Sequence, residues 1–149
     1  MTMLETNMTA YTGNMTAVAF EGPGPQFLPK NVIRSDQNWG IKVDWEVEGA
    51  LVDWLDATFH VTAHLESIGP GPEYTLPTIE VPTLSVPLSG GPAAKREYSQ
   101  NIDIAPGEVQ AGIYKIVTTL QLYEAASGNP TPVAGFVEGG MIQIFDPGP

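Results

Sequence analysis

The chain has 149 residues, no cysteine and a net charge of −11, because 17 acidic residues outnumber six basic ones. This length fits one domain. The lack of cysteine excludes disulfide scaffolds, thiolate metal sites and cysteine nucleophiles. The few scattered basic residues argue against a nucleic acid partner. No apolar run approaches the roughly 18 residues of a membrane span.

The N-terminal region, residues 1–17, is rich in threonine, asparagine and methionine. It contains neither a basic cluster nor the apolar stretch of a secretory signal. This predicts a protein that is cytoplasmic or is exported by a route without an N-terminal signal. We interpret residues 1–17 as an N-terminal arm or an edge strand, and residues 18–149 as one domain.

Alternation of apolar and polar residues is the main structural signal in the rest of the chain. It runs through 41–48 and 57–66 without a break, which predicts two strands with one buried and one solvated face. The longest strand candidate is 112–123. A last strand over 132–145 carries a predicted β-bulge at Gly139–Gly140.

Residues that form turns separate these strands at short intervals. A Gly-Pro-Gly-Pro tetrad occurs twice, and Pro77, Pro82 and Pro87 follow one another along 75–88. Because proline cannot donate to a ladder, that stretch is predicted to be an edge strand or an extended crossing. About seven or eight strands with frequent turns and no long helix predict an all-β fold, a single antiparallel β-sandwich.

The stretch from Ile104 to Ile116 carries a resemblance to a known fold. It reads Ile-Ala-Pro-Gly-Glu-Val-Gln-Ala-Gly-Ile-Tyr-Lys-Ile, and it resembles the entry to the penultimate strand of immunoglobulin-like and fibronectin-type-III-like domains. The resemblance implies an immunoglobulin-like sandwich in which Gly112 and Tyr114 form a tyrosine corner, with the hydroxyl bonded to upstream backbone. Trp45 is expected in the core, although it matches the core tryptophan of those domains poorly. Such a fold carries no function by itself.

No catalytic arrangement emerges from the ionisable residues. His60 and His64 lie four residues apart on a predicted strand, about 13 Å, which is too far for them to share a metal ion. Asp44, Glu46 and Glu48 share a flat strand face without the cleft that carboxylate catalysis needs. The sequence therefore predicts no enzyme, no cofactor and no metal site. The acidic residues leave calcium open, but no calcium-loop motif is present.

Two functions remain open. The first is a non-catalytic structural or assembly module that acts through its surfaces and self-associates by β-strand addition of the N-terminal arm; its partner is a second copy or another protein. The second is a ligand-binding module for carbohydrate, in which Trp39, Trp54 and Tyr74 stack on sugar rings from loops.

Overall fold

A computed structural model describes residues 2–3, 11–22, 30–49, 52, 55–89 and 94–148. They contain ten strands: β1 (Thr2–Met3), β2 (Tyr11–Glu21), β3 (Val32–Arg34), β4 (Trp39–Gly49), β5 (Ala57–Ser67), β6 (Tyr74–Thr75), β7 (Ile79–Pro82), β8 (Lys95–Ile104), β9 (Gly112–Glu124) and β10 (Pro130–Phe145). A short 3-10 helix, Thr83–Ser85, follows β7. Within these described ranges, no helix is long and apolar enough to cross a membrane.

The strands form two sheets, and the fold is all-β. The first sheet has the order β1–β2–β4–β8, and the second has the order β3–β10–β9–β5–β6, with β7 also paired to β5. Neighbouring strands are antiparallel except β3 and β10, which run parallel. The strand count exceeds the predicted seven or eight. The reason is that β1 and β3 are too short to show alternation, and the proline-rich stretch is divided into β6 and β7.

The alternation predicted for the long strands is confirmed. In β5 every second residue from Ala57 to Leu65 is buried, and the residues between them are partly exposed. The bulge predicted in β10 is also present, because the register with β9 shifts between Glu138 and Met141. Gly140 there has a positive φ of 85°, which favours glycine. The bulge therefore requires a positive φ, and the Gly139–Gly140 pair in the sequence indicated its position.

Three aromatic side chains from both sheets meet in the core. The ring of Trp45 stacks on that of Tyr98 at 5.2 Å between centroids, and its edge meets Phe59 at 5.6 Å. Phe59 and Tyr98 also contact each other edge to face. All three are buried. Since Trp45 and Tyr98 are direct neighbours on β4 and β8, this cluster joins the first sheet to β5 of the second.

Tyr114 closes the connection between β8 and β9. Its hydroxyl donates to the carbonyl oxygen of Gln110 at 2.7 Å, and burial raises the pKa of the phenol. Gly112 lies beside the same ring, and a Cβ atom there would be 3.3 Å from the Tyr114 oxygen. The hydroxyl of Tyr74 in turn accepts from the amide of Gln110 at 3.0 Å. Two tyrosines therefore hold one residue of the turn.

Replacing Tyr114 with phenylalanine should lower the free energy of unfolding by about 1–2 kcal/mol, because the Gln110 carbonyl loses its donor while the ring still fills its site. Denaturant unfolding followed by fluorescence measures the loss. Tyr123→Phe is the matched control, since Tyr123 is a partly exposed tyrosine on the same strand whose ring stacks on His60. Equal stability of Tyr114→Phe and wild type would show that the hydrogen bond from Tyr114 to Gln110 contributes nothing to stability.

Candidate functional site

The first sheet has two edges, and the β2 edge is covered. β1 pairs with β2 at Asn14 and Met15, and the carbonyl oxygen of Ala19 accepts from the amide of Lys30 at 2.9 Å. Between them the β10 bulge approaches closely, since a Cβ atom at Gly139 would lie 3.1 Å from the Ala17 oxygen. This edge offers little room for another strand.

Among the described residues, the β8 edge is open along most of its length. In the part of the chain that the structure describes, no strand pairs with its outer side beyond an isolated bridge between Ser89 and Lys95. The amide of Ser89 donates to the Lys95 oxygen at 2.8 Å, while the amide of Gly49 on β4 donates to the Ala94 oxygen at 2.8 Å. Because successive residues of a strand point their backbone groups to opposite sides, odd-numbered residues of β8 direct theirs outward.

Four residues of β8 therefore present the open backbone groups. They are Glu97, Ser99, Asn101 and Asp103. Their side chains lie on the outer face of the first sheet, because the residues between them, such as Tyr98 and Ile102, are buried in the core. An edge of this kind is a template for pairing with an added strand.

The outer face beside this edge is acidic. Along the described residues of β4 and β8 it carries five carboxylates and two lysines: Asp44, Glu46, Glu48, Glu97, Asp103, Lys42 and Lys95. The Lys95 ammonium bridges Glu46 at 3.1 Å and Glu97 at 3.0 Å, which raises the pKa of that ammonium group. A shallow groove of about 410 Å³ crosses this face and is lined in part by Asp44, Glu46 and Glu97. Charged side chains of this type discourage indiscriminate edge pairing.

The start of β8 is fastened to the segment that precedes it. The hydroxyl of Tyr98 donates to the Thr83 oxygen at 2.7 Å, and the Arg96 guanidinium donates to the Val86 oxygen. This segment carries two exposed apolar side chains, Leu84 at 54% and Leu88 at 39%. Among the described residues, the open part of the edge therefore begins after Lys95, where Ser89 is bound, and it has an apolar border at that end.

The second sheet protects its edge at β5 with proline. β7 pairs with β5 and ends at Pro82, and Pro77 precedes β7. The interpretation of 75–88 as an edge strand or extended crossing is confirmed. Because a proline nitrogen has no hydrogen to donate, an added strand would find an interrupted ladder there. β8 contains no proline, so the two edges differ in their capacity to accept a strand.

Of the three predicted carbohydrate contacts, the structure describes Trp39 and Tyr74, and neither ring is fully exposed. Trp39 is only 2% exposed and belongs to the core. Tyr74 is partly buried, packs edge to face against Tyr114 at 5.9 Å and is hydrogen-bonded to Gln110. Trp54 lies outside the described residues.

The two histidines lie on the outer face of β5, and each has its own partner. His60 Nε2 is 3.2 Å from a carboxylate oxygen of Glu80, and His64 Nδ1 is 3.1 Å from the hydroxyl of Thr75. The described residues contain no group of three or more histidine or acidic side chains that could hold a metal ion. The geometry of this face is that of separate cross-strand contacts.

Comparison with known proteins adds no further assignment. No family model matches the chain, and no curated protein matches it. The assignment of a function therefore depends on the residues and edges described above.

We expect alkaline pH to weaken the protein through Tyr98. Burial raises the pKa of its hydroxyl to about 12, whereas a tyrosine in an unfolded chain titrates near pH 10. The unfolded state therefore loses this proton first, so the stabilisation is complete below about pH 10 and is lost as pH rises to about 12.

Denaturant unfolding of wild type and Tyr98→Phe at pH 8, 9, 10 and 11 measures this effect. Wild type should lose stability more steeply above pH 10 than the variant, which lacks the titrating group but shares every other one. If the stability of the two proteins falls equally with pH above 10, the pH dependence does not come from Tyr98.

Proposed function

We propose that this protein is a non-catalytic assembly module that self-associates by β-strand addition at the open edge of β8. The observation that carries the proposal is the orientation of the β8 backbone, which leaves the N–H and C=O groups of Glu97, Ser99, Asn101 and Asp103 directed away from β4. Among the described residues the opposite edge of the same sheet is covered, so β8 is the edge of the first sheet that can accept an added strand.

We further propose that the sandwich is immunoglobulin-like. Three observations support this: the three long strands β2, β4 and β8 pack against a sheet containing β10, β9 and β5, the chain crosses between sheets so that β3 runs parallel to β10, and the Tyr114 hydroxyl bonds to backbone four residues upstream. This fold hosts many interaction modules, but the fold alone argues for no partner.

Native mass and a proline scan of β8 test the proposed function. Wild type should exceed the 15.9 kDa of one chain in light scattering at high concentration. Asn101→Pro should return it to 15.9 kDa, because proline removes an outward N–H without breaking a bond to β4. Asn101→Ala keeps the N–H and should still associate.

Gln100→Pro is the matched control for orientation. Its amide points towards β4, so its loss should unfold the protein, whereas Asn101→Pro should stay folded by circular dichroism. A wild-type protein that stays at 15.9 kDa at millimolar concentration would contradict self-association, and an Asn101→Pro protein that still associates would contradict the role of the β8 edge.

Carbohydrate binding remains a proposal without a specific geometric observation in its favour. Within the described residues, the rings of Trp39 and Tyr74 are committed to the protein interior and to the β8–β9 turn.

A further inference from the structure

The donor for the β8 edge can be inferred from the pattern of residues along it. A second copy can add its own β8 strand antiparallel to the first, about a twofold axis. Since only odd-numbered residues direct backbone groups outward, outward residues must pair with outward residues. This leaves three central registers: Ser99 opposite Ser99, Ser99 opposite Asn101, or Asn101 opposite Asn101.

Contacts at Lys95 exclude the register centred on Ser99. In that register Asp103 of one copy would lie opposite Lys95 of the other. The backbone position outside Lys95 is already occupied by Ser89, whose amide donates to the Lys95 oxygen. An added strand would need the same space and the same acceptor.

Charge disfavours the intermediate register. Pairing Ser99 with Asn101 places Glu97 opposite Asp103, and the twofold axis repeats this contact. Like charges directly opposite each other on a sheet are destabilising. The outer face is already acidic there, because Asp44 and Glu46 lie on the neighbouring strand β4.

The register centred on Asn101 avoids both problems. It places Ser99 opposite Asp103 twice and Asn101 opposite Asn101 on the axis, so that hydroxyl, amide and carboxylate groups can hydrogen-bond. Glu97 lies opposite Ala105, which follows the last residue of β8. The ladder covers residues 99–103, where the edge is open, and stays clear of Ser89.

We propose that two copies pair through β8 in this register, forming a closed dimer with Asn101 on the twofold axis. This inference rests on the proposed function and adds the donor and the register. It differs from addition of the N-terminal segment, which would join copies head to tail. Thr2–Met3 already pairs with β2 of its own chain, which leaves β8 as the edge that both copies share.

Single-cysteine variants test the register, because the natural chain contains no cysteine. Residues exchanging both hydrogen bonds in an antiparallel pair have Cα atoms about 5.5 Å apart, within the range of a disulfide. Asn101→Cys should therefore form a covalent dimer under mild oxidation. Ser99→Cys should not form a covalent dimer, because residue 99 of one chain would lie roughly 13 Å along the strands from residue 99 of the other.

Charge variants provide an independent readout. Ser99→Lys creates two direct contacts with Asp103 and should tighten the dimer about tenfold. Glu97→Lys should tighten the dimer less than Ser99→Lys, because Ala105 lies directly opposite and Asp103 is only a diagonal neighbour. Sedimentation equilibrium measures both dissociation constants. A chain lacking residues 1–10 keeps all of β2 and β8, so its Asn101→Cys variant should form the same covalent dimer as the full chain. The Asn101 cross-link is the readout here because the deletion also uncovers β2 at Asn14 and Met15.

The outcomes separate this inference from the proposed function. Cross-linking of the Ser99→Cys variant but not of Asn101→Cys, or a stronger gain from Glu97→Lys than from Ser99→Lys, would overturn the register while β8 pairing stands. Loss of the Asn101→Cys cross-link on removing residues 1–10 would identify the N-terminal segment as the donor and overturn the inference. An Asn101→Pro protein that associates like wild type would overturn both.

Discussion

Replacing Trp45 with alanine should lower the free energy of unfolding by about 3–5 kcal/mol, the largest single effect that we expect. Trp45 is 3% exposed and contacts aromatic rings of two other strands, Tyr98 and Phe59. Truncation removes its burial and leaves a cavity between the sheets that neighbouring side chains fill only partly. Urea unfolding followed by circular dichroism measures the change without relying on the deleted fluorophore.

Trp45→Phe is the matched control. The described residues offer no hydrogen-bond partner to Trp45 Nε1, so the variant loses no hydrogen bond and keeps an aromatic ring for Tyr98 to stack on. It should cost less than half as much as Trp45→Ala. Equal losses for the two variants would mean that the contribution of Trp45 does not come from filling the space between the sheets.

Gly40→Ala is the second substitution with a large expected effect, about 1–3 kcal/mol of destabilisation from overpacking. A Cβ atom at this position would lie 2.5 Å from the Ile102 carbonyl oxygen and 2.6 Å from the end of the Phe20 ring. Gly40 is not among the residues with positive φ, so the requirement is for space rather than for backbone freedom. The carbonyl belongs to β8 and cannot move without disturbing the ladder with β4.

Two variants check this explanation of Gly40→Ala. Gly148→Ala should be neutral, because nothing lies within 4 Å of the added atom. Adding Phe20→Leu to Gly40→Ala should recover only part of the loss attributable to Gly40, because the Ile102 carbonyl remains in place. Thermal unfolding of these variants tests the explanation. A Gly40→Ala protein as stable as Gly148→Ala would contradict the claim that Gly40 is required for space.

Local pattern predicted the long strands well, because each requires only an alternation that a short window of sequence contains. β4, β5 and β9 bury every second residue as expected. The proline-rich stretch lies at an edge, and the β10 bulge occurs where Gly139 and Gly140 allow it. The small strands were missed because three residues, such as Val32–Arg34, do not establish a period.

The candidate site was not predictable in the same way. The sequence directed attention to aromatic residues near turns, yet Trp39 is buried because it begins β4 between β2 and β8. Nothing in the sequence of β8 distinguishes an edge strand from a central one, apart from Glu97 and Asp103 on one face. Its openness depends on which strands pair, and pairing joins residues far apart in the chain.

Composition and a period of two in the sequence are enough to specify the all-β class, the buried faces of the long strands and the absence of cysteine chemistry. Which edge of the first sheet is covered, and which is open among the described residues, depends on the packing of distant parts of the chain. The Ala17 oxygen meets Gly139 from the far end of the chain, while β8 has its single long-strand neighbour in β4 among the described residues. Such contacts join residues far apart in the chain, so the local alternation of apolar and polar residues does not predict them.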